Sequence, residues 1–339
     1  MAKLSPKERA AIAERRLLSV LGRHGIATMR TLEQKISDAG PNDQRIDPHV
    51  LTEVRNVLMR AGRIDQRRPT AAPWYFLTDA DPAFVKQRLA HLEAIHRRVD
   101  RQGVKVRIGQ TLEIAVYRAL KVAASAGAGH FIGDYPNLEE HDDATPYRKE
   151  EPLSISGRRA PQGKSLDFIA VTDSLGAGLE VKNIREWIYP NRIEVKDLIL
   201  KALALDVVPV LIARRIHFSA FSVLTRCGVV LHQTYNQLYP TSEAALAADA
   251  KHKDNLGFHD IRVGNEPDAR LVKFVRVNLP KIIRDARSRF DTYRDLLADY
   301  AAGHIDYPEF SGRSRRRSRG EPEDGDPPWE QEADDFDEY

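Results

Sequence analysis

The sequence predicts an α/β protein: a mixed sheet flanked by helices, preceded by a smaller, mostly α-helical domain. Three observations lead there. From about residue 130, strand-length apolar runs such as VVPVLIA (207–213) alternate with amphipathic helical stretches, the order of a sheet covered on both faces. The first hundred residues are instead punctuated by helix starts, with one Pro-interrupted strand pair among them. The length, 339 residues, suits about two domains, and 42% hydrophobic with 30% charged residues supplies a core beneath a highly charged surface.

Composition removes several function classes. No run approaches the ~18 uninterrupted apolar residues of a membrane helix, and MAKLSPKERA lacks the apolar segment of a secretory signal. With Cys227 alone, an intramolecular disulfide is impossible and a cysteine-built zinc site is disfavoured. The expectation is a cytoplasmic protein with no membrane partner. HExxH and GxSxG are absent, and Gly127-Ala128-Gly129-His130 completes neither a phosphate-binding loop nor a dinucleotide fingerprint. The net charge of +3 conceals a division: residues 321–339 hold ten acids and no Lys or Arg, leaving 52 basic against 39 acidic residues elsewhere, a body at +13. That balance suggests a polyanion partner, most simply nucleic acid.

In the first domain, Ser5-Pro6-Lys7-Glu8 offers a capping box with Pro at the first helical position, and Asp47-Pro48 and Asp81-Pro82 repeat the cap-plus-Pro signal. Helices are expected at 6–23, 28–37, 48–61 and 82–99. Between the last two, GRIDQRRPTAAPWYFL (62–77) reads as two short strands around a Pro-rich tip. In the third helix, Val50, Leu51, Val54, Val57, Leu58 and Ala61 form the apolar stripe, away from which lie Thr52, Arg55, Asn56 and Arg60. Three helices followed by a hairpin resemble the winged helix-turn-helix family over residues 1–98. That resemblance implies that Thr52, Arg55, Asn56 and Arg60 face the major groove of double-stranded DNA, with Arg67 and Arg68 near phosphates. Glu53 on the same helix opposes tight binding.

The second domain is expected over 104–302, in the order helix (107–125), weak strand (130–133), polar loop (134–164), strand (165–172), turn (173–177) and strand (178–184). Helix (191–206), strand (207–213), helix (217–226), strand (228–232) and further helices follow. Residues 311–339, five arginines in SGRSRRRSRG and then the acidic run, read as a disordered basic-then-acidic tail. The acidic part reads as a solubility tail, with a peptide that binds a protein partner, or a DNA mimic in the basic groove, as the alternatives.

The chemistry concentrates in LDFIAVTDSLGAGLEVKN (166–183). A hairpin there brings Asp167 toward Glu180, thirteen residues on, and strand alternation puts Glu180 and Lys182 on one side with Val181 opposite. Converging carboxylates with an ammonium suit a Mg²⁺ site, and the ion could activate water and stabilise a phosphodiester's developing charge. Glu-x-Lys alone carries little information, since Glu33-Gln34-Lys35 and Glu194-Val195-Lys196 also occur. Only the Glu180 copy falls on an expected strand beside a second acid.

Asp167, Glu180 and Lys182 resemble the signature of the PD-(D/E)xK nuclease superfamily, over roughly 104–235. The proline of that signature is missing here, since Ser165-Leu166 precede Asp167. The resemblance implies a restriction-endonuclease-like fold in which Asp167, Glu180 and the Val181 carbonyl hold Mg²⁺, with Mn²⁺ as a substitute. Glu113 is the best match for a further ligand from the preceding helix, and Lys182 would assist water attack. Arg185 and Arg192, just after the motif, either grip the scissile phosphate or cap the next helix. The implied function is a DNA endonuclease of restriction, phage defence or repair, and a homodimer is compatible with it. The alternative is a non-catalytic DNA-binding transcriptional regulator that uses the nuclease fold as a platform.

Overall fold

The computed structural model describes residues 4–38, 45–69 and 72–323, which form two compact units: the described residues up to 106 with 241–263, and 107–240 with 264–323. The 241–263 segment, expected inside the 104–302 domain, groups instead with the N-terminal residues. Its helix α8 (Ala244–Lys251) packs against α4 (Pro82–Asp100), and Arg98 pairs with Asp249 at 2.9 Å. Nothing in that short Ala-rich stretch distinguishes it from a local excursion of the second domain.

In the first unit the capping box starts α1 (Pro6–His24): the Glu8 amide donates to Ser5 Oγ, and the Ser5 amide donates to Glu8 at 2.8 Å. Then come β1 (Ala27–Thr28), α2 (Met29–Ile36) and α3 (Pro48–Arg60), whose cap is Asp47. The hairpin β2 (Ile64–Arg67) and β3 (Trp74–Leu77) follows, and β3 also pairs with β1 to make a three-stranded antiparallel sheet. Leu17, Leu21, Leu32, Leu51, Leu58 and Tyr75 share one core. The buried arc of α3 is narrower than its apolar stripe. Val57 is 54% exposed although Leu51, Val54 and Leu58 are buried, because it lies about 60° beyond Val54 round the helix.

The second unit is built on the order β10–β9–β8–β7–β4. Here β4 is His130–Ile132, β7 Phe168–Thr172, β8 Leu175–Lys182, β9 Val208–Ala213 and β10 Val230–Gln233. The pairs β4–β7 and β7–β8 are antiparallel, while β8–β9 and β9–β10 are parallel, so the sheet is mixed. Helices cover both faces. On one side α5 (Gln102–Ser125) and α10 (Leu279–Thr292) close over Phe168, Leu179, Val181, Val210 and Ile212. On the other, α6 (Ile193–Leu205), α7 (Phe218–Arg226) and α11 (Arg294–Ala302) close over Ile169, Leu211 and Ala213. Between β10 and α10, α9 (Ala269–Lys273) leads into a π-helical turn at Phe274–Asn278. The polar loop expected at 134–164 contains a small hairpin, β5 (Ser154–Ile155) with β6 (Arg158–Arg159).

Two expectations are corrected. The turn between β7 and β8 is only Asp173 and Ser174, both with positive φ (49° and 65°), and β8 begins at Leu175 rather than 178. Gly176 and Gly178 therefore belong to the strand. A Cβ on Gly178 would come within 2.6 Å of Leu166 and 2.7 Å of Val207, so the glycine serves close packing rather than a turn.

The arginine run is also ordered up to residue 319. Helix α12 (Tyr307–Arg319) starts at an Asp306 cap, buries Phe310, Ser311 and Ser314, and stacks Phe310 on Tyr300 at 4.3 Å. Arg317 meets both oxygens of Asp295 at 2.6 and 2.7 Å. The buried face of this helix is one aromatic and two small residues, with Tyr307 partly buried beside them, so an apolar count underestimates it. The acidic residues 324–339 lie outside the described residues.

Candidate active site

Strand register places the candidate acids. Phe168 and Leu179 are the last register pair of β7 and β8, and the Asp167 amide also donates to the Leu179 carbonyl at 3.0 Å, so Asp167 lies just beyond the ladder, at the same end of the hairpin as Glu180. Glu180 and Lys182 alternate with Leu179 and Val181, which are buried in the α5-side core. The Val181 amide donates to Asp167 Oδ2 at 2.6 Å and fixes that carboxylate's orientation. Lys182 donates to Glu180 Oε1 at 2.6 Å, and Lys201 on α6 donates to Glu180 Oε2 and to the Ser165 carbonyl at 2.9 Å.

Glu113 on α5 reaches the same end of the hairpin, and a further lysine makes the connection. The Lys149 ammonium lies 2.7 Å from Glu113 Oε2 and 2.9 Å from Glu151 Oε1, and it also bonds Asp167 Oδ1. Tyr135 donates its hydroxyl to Glu113 Oε2 at 2.7 Å. The backbone around Lys149 is pinned on both sides. Gln110 on α5 exchanges two 2.8 Å hydrogen bonds with Tyr147, and Glu150 exchanges backbone bonds of 2.8 and 3.0 Å with Asp134. Among the described residues, Glu113, Asp167 and Glu180 do not each bring an oxygen within 4.8 Å of the other two. Lys149 bridges Glu113 and Asp167, and Lys182 and Lys201 pair with Glu180.

The electrostatics follow. Burial, then the Asp167 charge, push the Glu113 carboxyl above the usual carboxylate range, against the pull of Lys149. Burial works against the Lys149 and Lys182 ammonium groups. Asp167 and Glu113 overcome it for Lys149, and Glu180 and Asp167 for Lys182, so both lie above the ordinary lysine value. Burial and the Glu113 charge drive the Tyr135 hydroxyl upward.

Other candidates are placed apart from this cluster or tied down. Arg185 is buried with its guanidinium on Gln237 Oε1 at 3.2 Å, a position within the fold rather than facing solvent. Arg192 is the residue preceding α6 and meets Glu194 at 2.7 and 3.1 Å. In the first unit, Asn56, Arg60, Arg67 and Arg68 are exposed and Thr52 is half-buried. Arg55 is held against Tyr75, its guanidinium 5.2 Å from the ring centroid and 3.1 Å from the hydroxyl. An open depression of about 670 Å³ near Gly127, Gly129 and Asp173 lies at the turn end of β7–β8, opposite the carboxylates.

Sequence reasoning missed Lys149, Lys201, Glu151 and Tyr135. Lys201 carried a signal, as the lone charge in LILKALAL (198–205). Lys149 carried none, since YRKEE (147–151) resembles any charged loop. Searches against protein-family models, curated proteins and solved structures return no match to this chain.

Proposed function

We propose that this protein is a Mg²⁺-dependent DNA endonuclease, in which a restriction-endonuclease-like domain cleaves and an N-terminal winged helix holds duplex. The observation that carries the reading is the placement of Asp167 and Glu180 across the open end of one hairpin, with Lys182 on Glu180 and Glu113 tied to Asp167 through Lys149. The mixed sheet with α5 before the hairpin and an αβαβ continuation after it supports the same reading. Exposed Asn56, Arg60, Arg67 and Arg68 suit duplex contact.

The donor set suits a hard cation, because Glu113, Asp167 and Glu180 offer carboxylate oxygens and Val181 a carbonyl. A bound Mg²⁺ supplies an activated water and charge stabilisation for the phosphodiester. The chain's own residues do the rest. Val181 holds Asp167 through its amide, Lys201, itself anchored on the Ser165 carbonyl, holds Glu180 in place, and Lys182 presents an ammonium where negative charge builds in the transition state.

A second reading, the non-catalytic transcriptional regulator, rests on its own observation: Glu113, Asp167 and Glu180 each already have a lysine partner, so the fold has its ion pairs without a metal. Cleavage of plasmid and linear duplex with Mg²⁺ or Mn²⁺ against EDTA separates the two. Metal-dependent cutting supports the enzyme. Salt-sensitive duplex binding with no cutting in either metal supports the regulator.

A further inference from the structure

Lys149 is surrounded in a way that an ordinary surface lysine is not. Its side chain is 10% exposed, and its ammonium contacts Glu113, Glu151 and Asp167, which come from a helix, a loop and the start of a strand. An ammonium has three donors, and three carboxylates are the partners here. The charges of the whole cluster are informative. Glu113, Glu151, Asp167 and Glu180 bring four negative charges against three positive ones from Lys149, Lys182 and Lys201, a net of −1. Adding a divalent cation with Lys149 in place would make the cluster +1. Exchanging Lys149 for the cation makes it neutral.

Geometry points the same way. A Mg²⁺ ion needs oxygens at about 2.0–2.1 Å, so an ion shared by Glu113 and Asp167 would take the ammonium's place between them. The backbone of Tyr147 and Glu150 is fastened on either side, whereas the lysine stem turns about four bonds. The side chain can therefore leave while the loop stays.

We propose that Lys149 is a resident counter-ion that competes with the divalent cation for the seat formed by Glu113, Glu151 and Asp167, an inference that rests on the metal-dependent reading of this site. Lys149 stabilises the metal-free protein and raises the cation concentration needed to load it. Glu151, freed of the ammonium, becomes available to the ion.

The test is Mn²⁺ binding to the full chain without DNA, by loss of the free-ion EPR signal, for wild type, Lys149→Met and Lys149→Arg. Far-UV circular dichroism checks each fold. Lys149→Met is expected to bind Mn²⁺ at least ~10-fold more tightly than wild type, because a competing unit charge is gone. Its melting temperature in EDTA should fall and recover with Mn²⁺ more than that of wild type. Lys149→Arg, which keeps the charge, should show no such gain. If Lys149→Met does not fold in EDTA, Lys149→Gln carries the same comparison. Mn²⁺ affinity equal to or weaker than wild type in a folded neutral variant overturns the competition and leaves the nuclease reading standing. No Mn²⁺ binding by any variant overturns both.

Discussion

The Val181 amide donates to Asp167 Oδ2 at 2.6 Å, across the open end of the β7–β8 hairpin. This one bond ties the aim of the Asp167 carboxylate to the strand register that sets Glu180 and Lys182. A shift of one residue in the pairing would move Glu180 to the other face and replace it with a core side chain. The small Asp173–Ser174 turn and the two strand glycines thus bear on the site as well as on the fold.

Glu180 is expected to matter for stability as well as for chemistry. Glu180→Gln leaves Lys201, 8% exposed, without its carboxylate partner. Removing one member of a buried pair costs about 3 kcal/mol. A urea melt in EDTA should show that loss, and adding Lys201→Met to Glu180→Gln should recover part of it.

Duplex binding should depend on the exposed basic groups of the first unit. Arg68→Ala is expected to weaken binding without regard to sequence and to lower the slope of log K against log salt by about 1. Arg55→Ala should instead lower stability, since Arg55 is held on Tyr75. Fluorescence anisotropy over a salt series, alongside thermal melts, separates the two effects.

Acid should destabilise the second unit through His232. Burial lowers its pKa from 6.5 to about 4, where its ring stacks on Phe274 at 4.1 Å. A depressed folded pKa means that the unfolded chain takes up the proton first. The stability is therefore intact above pH 6.5 and is lost as pH falls toward 4, by roughly 3 kcal/mol at the limit. Urea melts from pH 7 to pH 4 should show a shallower fall in His232→Gln than in wild type.

Helix α12 is an integral part of the second unit. Phe310→Ala removes a fully buried ring from the stack on Tyr300 and is expected to cost about 3–5 kcal/mol. An unchanged denaturation midpoint would mean that α12 contributes nothing to the fold.

Local signals made much of the architecture legible. Capping residues placed α1, α3 and α4 within a residue or two, and the apolar runs placed β9 and β10 beside their helices. The hairpin was legible because two acids and a lysine sit among strand-forming residues. Features set by long-range packing were not. The glycines of β8 read as a turn because the demand for space comes from Leu166 and Val207. Lys149 read as surface because its three partners lie 36, 18 and 2 residues away, and only the folded loop assembles them. The likeness of 311–320 to a disordered run concealed Phe310 just before it.

The central claim is that the β7–β8 hairpin performs metal-assisted phosphodiester hydrolysis. The most direct measurement is the single-turnover rate of plasmid nicking in Mg²⁺ for wild type and Lys182→Ala. Lys182 is partly exposed and, among the described residues, its ammonium bonds Glu180 alone, which keeps Lys201, so its loss should spare the fold. The expected result is EDTA-sensitive nicking that falls by about 10²–10³-fold in the variant, the effect of removing one transition-state donor. Nicking at the wild-type rate by Lys182→Ala would contradict the assignment.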